Sequence, residues 1–242
     1  YPGGYTPTDS SGSVNQKEDG FTPKVTAAFR PSKNLMVYAT YSEGFRVGGI
    51  NPNAGLLPAI PASYESDKVK NYEAGIKAQT PDGRFAIDLT GFRIDWKNIQ
   101  ARLFGPAPSY FSYVVNAGGA RINGIEFSGT VNLNSVTRFT SNVTWQDAEI
   151  TTFLPYPFDA AGLGGYPKGT TLPGSSKWSI ANNLTLTFAD VTGAPTFGIA
   201  HRYLSSAPTS FDDVSRRGNF HVFDLRASIS LGEKVRIMAF AN

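Results

Sequence analysis

Cysteine is missing altogether from this sequence, and disulfides, thiol catalysis and zinc–thiolate sites go with it. Histidine is nearly missing, with two residues in 242. Charge is sparse: 17% of residues are Asp, Glu, Lys or Arg, against roughly a quarter in ordinary soluble domains. The net charge of +3 comes without any Lys/Arg cluster, which excludes a nucleic-acid surface. No run of 18 apolar residues occurs, so no helix is expected to cross a membrane. That leaves barrels untouched, because their spanning strands are only half apolar. Neither an initiator Met nor a targeting motif is present. The chain opens at Tyr1 in Gly/Pro/Ser-rich sequence and stops at Asn242 in mid-strand, so we expect a piece of something longer.

What is present is aromatic and periodic. Phe, Trp and Tyr reach 13%, which with so little charge fits strands packed against something apolar. The stretch Asn116 to Leu133 sets the pattern. Ile125, Phe127, Gly129, Val131 and Leu133 alternate with Glu126, Ser128, Thr130 and Asn132. A period of two places these sets on opposite faces of a strand. The apolar face would meet a core in a sandwich and lipid in a membrane barrel.

The remaining segments decide between the two. Residues 1 to 20 read as loop, and Phe21 to Arg30 alternates up to a tight turn at Pro31 to Asn34. Leu35 to Ser42 returns, and a long loop runs from about Arg46 to Asp67. A hairpin turning at Thr80-Pro81-Asp82-Gly83 follows, with turn chemistry that suits a reverse turn. Its second strand is read from Arg84 to about Leu103. The apolar phase slips at Thr90-Gly91, which implies either a β-bulge at Gly91 or inward-facing Phe92, Ile94 and Trp96. Further strands centre on Val143, Leu184, Ile199, Leu225 and Ile237. Ten strands result, joined by five tight turns alternating with four long loops. Sandwiches have no reason to put every long loop at one end, whereas outer-membrane barrels do. We therefore expect an all-β, antiparallel transmembrane barrel segment. Ile125, Phe127, Val131, Phe139, Val143, Ile180, Leu184, Leu225 and Ile229 should face lipid. Glu126, Thr130, Arg138, Asn142, Asp224 and Arg226 should face the lumen.

Five segments taken in order resemble the C-terminal half of a TonB-dependent outer-membrane receptor. They are Thr22 to Asn51, Tyr72 to Gln100, Asn116 to Phe127, Leu172 to Trp178 and Val222 to Asn242. The resemblance implies a barrel of about 22 strands around an N-terminal plug. Residues 1–20 would be an extracellular loop and 21–242 strands with short periplasmic turns. Plug, TonB box and first half would lie outside this sequence. It further implies active uptake across the outer membrane, coupled to the TonB energy-transducing complex through the absent plug region. YSEGFRVGGIN (Tyr41 to Asn51) is similar to the siderophore-type members, so the implied ligand is a ferric siderophore or similar iron complex. A self-contained small outer-membrane enzyme or passive pore is the alternative. It would need residues 21–30 to pair with 234–242, whereas a piece of a larger barrel would leave an open arc.

Candidate chemistry is thin. His201 and His221 sit beside Arg202 and Asp224 and could form an acid/base pair. No nucleophile elbow or recurring His–Asp spacing supports catalysis, and we expect no enzyme activity and no cofactor. Asp159, Asp212 and Asp213 read as solvated loop carboxylates rather than a metal site. Ligand contact is expected from loop and rim residues: Arg46, Asn51 and Asn53, with aromatic faces from Tyr64, Tyr110, Tyr113, Tyr156 and Tyr166.

Overall fold

The computed structural model describes residues 19–52, 54, 60–104, 111–155, 164–232 and 234–241. Its elements follow one rhythm, a long hairpin and then a short ribbon. The first hairpin is β1 (Lys24–Ser32) and β2 (Leu35–Arg46), followed by the ribbon β3 (Gly49–Ile50) and β4 (Ser63–Tyr64). Next come β5 (Asp67–Gln79) and β6 (Phe85–Lys97), then β7 (Gln100–Phe104) and β8 (Ser112–Asn116). The third hairpin is β9 (Ala120–Asn132) and β10 (Thr137–Ile150), with the ribbon β11 (Leu154–Pro155) and β12 (Gly165–Tyr166). β13 (Trp178–Thr187) and β14 (Thr196–Leu204) precede β15 (Ala207–Pro208) and β16 (Arg216–Arg217). β17 (Phe220–Leu231) and β18 (Val235–Ala241) close the series.

The ten long strands form a single antiparallel sheet in the order β1-β2-β5-β6-β9-β10-β13-β14-β17-β18. Each strand pairs with its neighbours in the series, so every tight turn lies at one end and every long loop at the other. The ladder ends at β1 and β18, which do not pair with each other. The sheet is an open arc, and the closed ten-stranded cylinder required by a small barrel enzyme or pore is not formed. The turns are made by local chemistry. Gly83 takes φ of 69° and its N–H donates to the Thr80 carbonyl at 3.0 Å, while Asp82 accepts from the Arg84 N–H. Asn134 caps its turn by accepting from the Val136 and Thr137 N–H groups at 2.9 and 2.7 Å. Glu233, expected in the last turn, lies outside the described residues.

Two sequence expectations need correction. β6 does not run to Leu103: it stops at Lys97, because Asn98 turns into the left-handed region at φ 58°. Likewise β9 begins at Ala120 rather than Asn116, which belongs to β8, with Gly118 at φ 76° between them. The slip at Thr90-Gly91 is not a bulge. The pairing of β6 with both β5 and β9 runs unbroken through Gly91, so Phe92, Ile94 and Trp96 do face inward.

Register divides the sheet into two faces. Across β6, β9, β10, β13, β14 and β17, Leu89, Phe127 and Val143 stack towards Ile180. Phe139, Leu184, Ile199 and Leu225 continue the same face. No protein layer covers this face, and on it Leu89 is 43% exposed, Ile199 46% and Leu225 50%. An apolar face this continuous is unstable in water and belongs in hydrocarbon. The other face carries Lys77, Asp88, Ser128, Asn142, Arg202 and Asp224. There Ser128 donates to Asn142 at 2.8 Å and Arg202 pairs with Asp224 at 3.2 Å. Two glycines of this face make room for rings. Tyr38 lies across Gly75 and bonds Glu73 at 2.9 Å and Thr90 at 2.8 Å, and Phe92 lies across Gly124.

The buried apolar side chains are not in the membrane-spanning body of the sheet; those that belong to it, Ala120, Ala148 and Ile150, sit at its loop-side margin. Ile60, Ile99, Leu103, Tyr113, Ile150, Leu154, Leu172 and Ala207 all lie at the loop end, in and beneath the ribbons.

Candidate functional site

At the loop end the backbone leaves the sheet through a polar clamp. Arg46, the last residue of β2, faces Asp67, the first of β5. The Arg46 Nε donates to the Asp67 carboxylate at 3.0 Å, Nη2 reaches the same group, and the guanidinium lies 4.7 Å from the Trp96 ring centroid. Asp67 is buried and also accepts from the Gln100 N–H at 3.1 Å. The Gln100 side chain then donates to the Val47 and Glu65 carbonyls. Two asparagines tie the first two loops together. Asn51, 5% exposed, donates to the Pro61 and Val114 carbonyls at 2.9 and 2.7 Å and accepts from the Val114 N–H at 2.8 Å. Asn116 accepts from the Glu65 N–H and donates to the Glu65 and Asn98 carbonyls. Together these bonds satisfy backbone groups that would otherwise be orphaned where strands give way to loop.

Above the clamp the loops share a core. Ile99, Ala117, Ile150, Leu154 and Leu172 form one cluster, and Ile60, Leu103 and Tyr113 form a second. Phe211, from the fourth loop, packs against both, with its ring 5.3 Å from that of Tyr166. Residues from all four loops thus meet in one cap. Burial pushes the Tyr113 phenol up to about 12.

The residues expected to touch ligand fall into three groups. Asn51 and Tyr113 are buried, the first with its amide committed to backbone, the second 2% exposed inside the cap. Arg46 is half exposed while it holds Asp67, and Tyr64 and Tyr166 are part-exposed, Tyr64 lying across Gly49 and Tyr166 against Phe211. Asn53, Tyr110 and Tyr156 lie outside the described residues. Sequence reasoning overlooked Asp67, Gln100 and Asn116. Their one signal is that each is a polar residue at the first or last position of a strand, where the sheet gives way to the loops.

The histidines are brought together, but not with the acid and base beside them in sequence. His201 and His221 lie on the apolar face, whereas Arg202 and Asp224 lie on the polar one. The His201 Nε2 and His221 Nδ1 are 2.9 Å apart with the ring centroids 5.2 Å apart, so the imidazoles meet edge to edge. Upstream, Ser141 donates to Asn182 at 2.8 Å, and the Asn182 amide donates to His201 Nδ1 at 3.2 Å. An amide nitrogen can only donate, which makes His201 Nε2 the protonated nitrogen and directs its hydrogen to His221. The string satisfies polar groups within a lipid-facing surface and points at no cleft. Among the described residues no group of three or more His, Cys, Asp or Glu could hold a metal ion.

All of residues 1–242 match the family of TonB dependent receptor-like β-barrels. The metal-pseudopaline receptor CntO of Pseudomonas aeruginosa is 26% identical over 139 residues, which are 57% of this chain and 18% of that receptor. Two solved structures share the fold. The ferric yersiniabactin uptake receptor FyuA from Yersinia pestis superposes with a TM-score of 0.68 at 17% identity, over 90% of this chain and 31% of its own. The copper transporter OprC gives 0.63 at 13%, over 90% and 32%. This chain therefore spans about a fifth of the curated relative and a third of the solved receptors. With its open ten-stranded arc, bare apolar face and loops gathered at one end, the chain belongs to the TonB-dependent receptor family and to the bacterial outer membrane.

Proposed function

We propose that this chain supplies part of the wall and mouth of a receptor that takes up a scarce metal chelate, a ferric siderophore, with energy from the TonB complex. The observation that carries the reading is the shared core of the four loops, which gives a mouth shaped in advance rather than four separate solvated strings. Tyr64, Tyr166 and the exposed side of Arg46 would present rings and charge to a chelate, and Asn53, Tyr110 and Tyr156 belong to the same loops. Asn51 and Tyr113 would act from beneath by fixing those loops. In this reading the loop end faces the exterior, the chain is not an enzyme, and TonB engages parts of the receptor beyond these residues.

The test is uptake by cells lacking the full-length gene. Loss of uptake of labelled ferric siderophores, restored by the gene only when TonB is present, is the expected result. Undiminished iron uptake would overturn the iron reading. A second reading, a chelate of another metal, is favoured by the likeness to a metal-pseudopaline receptor and a copper transporter. In that case the deletion would impair uptake of the other metal instead.

A further inference from the structure

Besides the Ser141–Asn182–His201–His221 string, the lipid-facing side of the arc changes character at its loop end, where charge gathers at one corner. Near the loop end of β2, β5, β6 and β9 the outward positions become charged. Most of these charges are matched: Lys70 meets Glu43 at 3.3 Å, and Asp95 is shared by Arg93 and Arg121 at 2.9 Å each. One row further out, Lys68 and Lys97 stand directly opposite each other across β5 and β6. Both are exposed and neither forms an ion pair among the described residues, though Lys68 lies in the field of Glu43. Like charges directly opposed across a ladder destabilise it, so this pair is unfavourable unless something anionic lies between them. On these four strands the outward positions of the corner set five cations against two carboxylates, and Glu149 of β10 stands opposite Arg121 at its edge.

Position identifies the anion. The tilted Tyr41–Tyr72 pair, with ring centroids 5.2 Å apart, marks the aromatic level of the same strands. Lys68 is four residues beyond Tyr72, roughly 13 Å along the strand and about 9 Å higher once it is tilted near 45°. That is the headgroup layer. We propose that Lys68 and Lys97 clasp the phosphate of an anionic lipid in the loop-side leaflet. Arg93 and Arg121 extend the positive field, and the tyrosines seat the upper acyl chains. The site is distinct from the mouth, because these side chains point away from the lumen.

The experiment uses the full-length receptor in detergent with diphosphoryl lipid A as the probe, read by native mass spectrometry and thermal unfolding. The double variant Lys68→Gln/Lys97→Gln should bind it roughly 30-fold more weakly, the worth of two lysines near an anionic surface. In lipid-free detergent the same variant should be at least as thermostable as the parent, since a repulsion has been removed. Lys177→Gln, which among the described residues removes the Lys177–Asp147 pair at the head of β13, three strands along the sheet from β6, should leave lipid binding unchanged. Equal binding by parent and double variant would overturn the proposal. So would equal stabilisation by dephosphorylated lipid or by inorganic phosphate alone, and so would a double variant less stable than the parent without lipid.

Discussion

Leu184 and Thr185 are neighbours in sequence and opposites in environment. Leu184 stands between Phe139 and Ile199 on the bare apolar face, while Thr185 stands beside Arg138 on the polar one. Leu184→Arg should cost roughly 2 kcal/mol in a reversible folding titration in lipid, and Thr185→Gln almost nothing. Gln is the better control, because Arg at position 185 would face Arg138 directly. Gly124 is constrained differently: a Cβ there would come within 2.3 Å of the Phe92 ring and 2.8 Å of the Trp145 carbonyl. Gly124→Ala should therefore cost about 1–3 kcal/mol through overpacking, measured in the same titration. Tyr113 makes a pH prediction. Its folded value near 12 lies above the ordinary 10, so its contribution is complete below pH 10 and is lost as pH climbs towards 12. The stability difference between the parent and Tyr113→Phe should be constant up to pH 10 and shift against the parent above it.

At the scale of elements, the strands were written in the sequence and the ribbons were not. A strand of nine to fourteen residues repeats its two-residue period enough times to be read, and Ile125 to Leu133 does so without error. β3, β4, β11, β12, β15 and β16 have two residues each, too short to carry a period. Their pairing is dictated by what lies against them. The same holds for Asn51 and Asp67. Both look like ordinary polar loop or rim residues until the structure shows them buried and holding other segments in place. Only the Asn98 break was available in principle, since Asn tolerates the left-handed conformation better than most residues. The clamp yields its own prediction. Asp67→Ala strips Arg46 and the Gln100 N–H of their common partner and should cost about 1–3 kcal/mol. Limited proteolysis should then cut the first two loops faster in the variant while the strands stay protected.

The whole molecule inverts the usual arrangement of a globular protein. Its sheet has no buried apolar interior of its own and relies on lipid, whereas the densest packing sits in the connections. Phe211 packs against a cluster that includes Ile60 and Leu103, more than a hundred residues earlier, and Asn51 is bonded to Val114. Such contacts join only after the strands that carry them have paired, so the cap should be the last part to consolidate on folding. The shared core also bears on how such a receptor can change its preferences. A loop whose inner side chains are packed against three others is not an interchangeable part. Transplanting one loop from a relative would import surface residues together with mismatched interior ones. New specificity should therefore arise by altering outward-pointing side chains over a retained interior, or by exchanging all four loops as one inherited block.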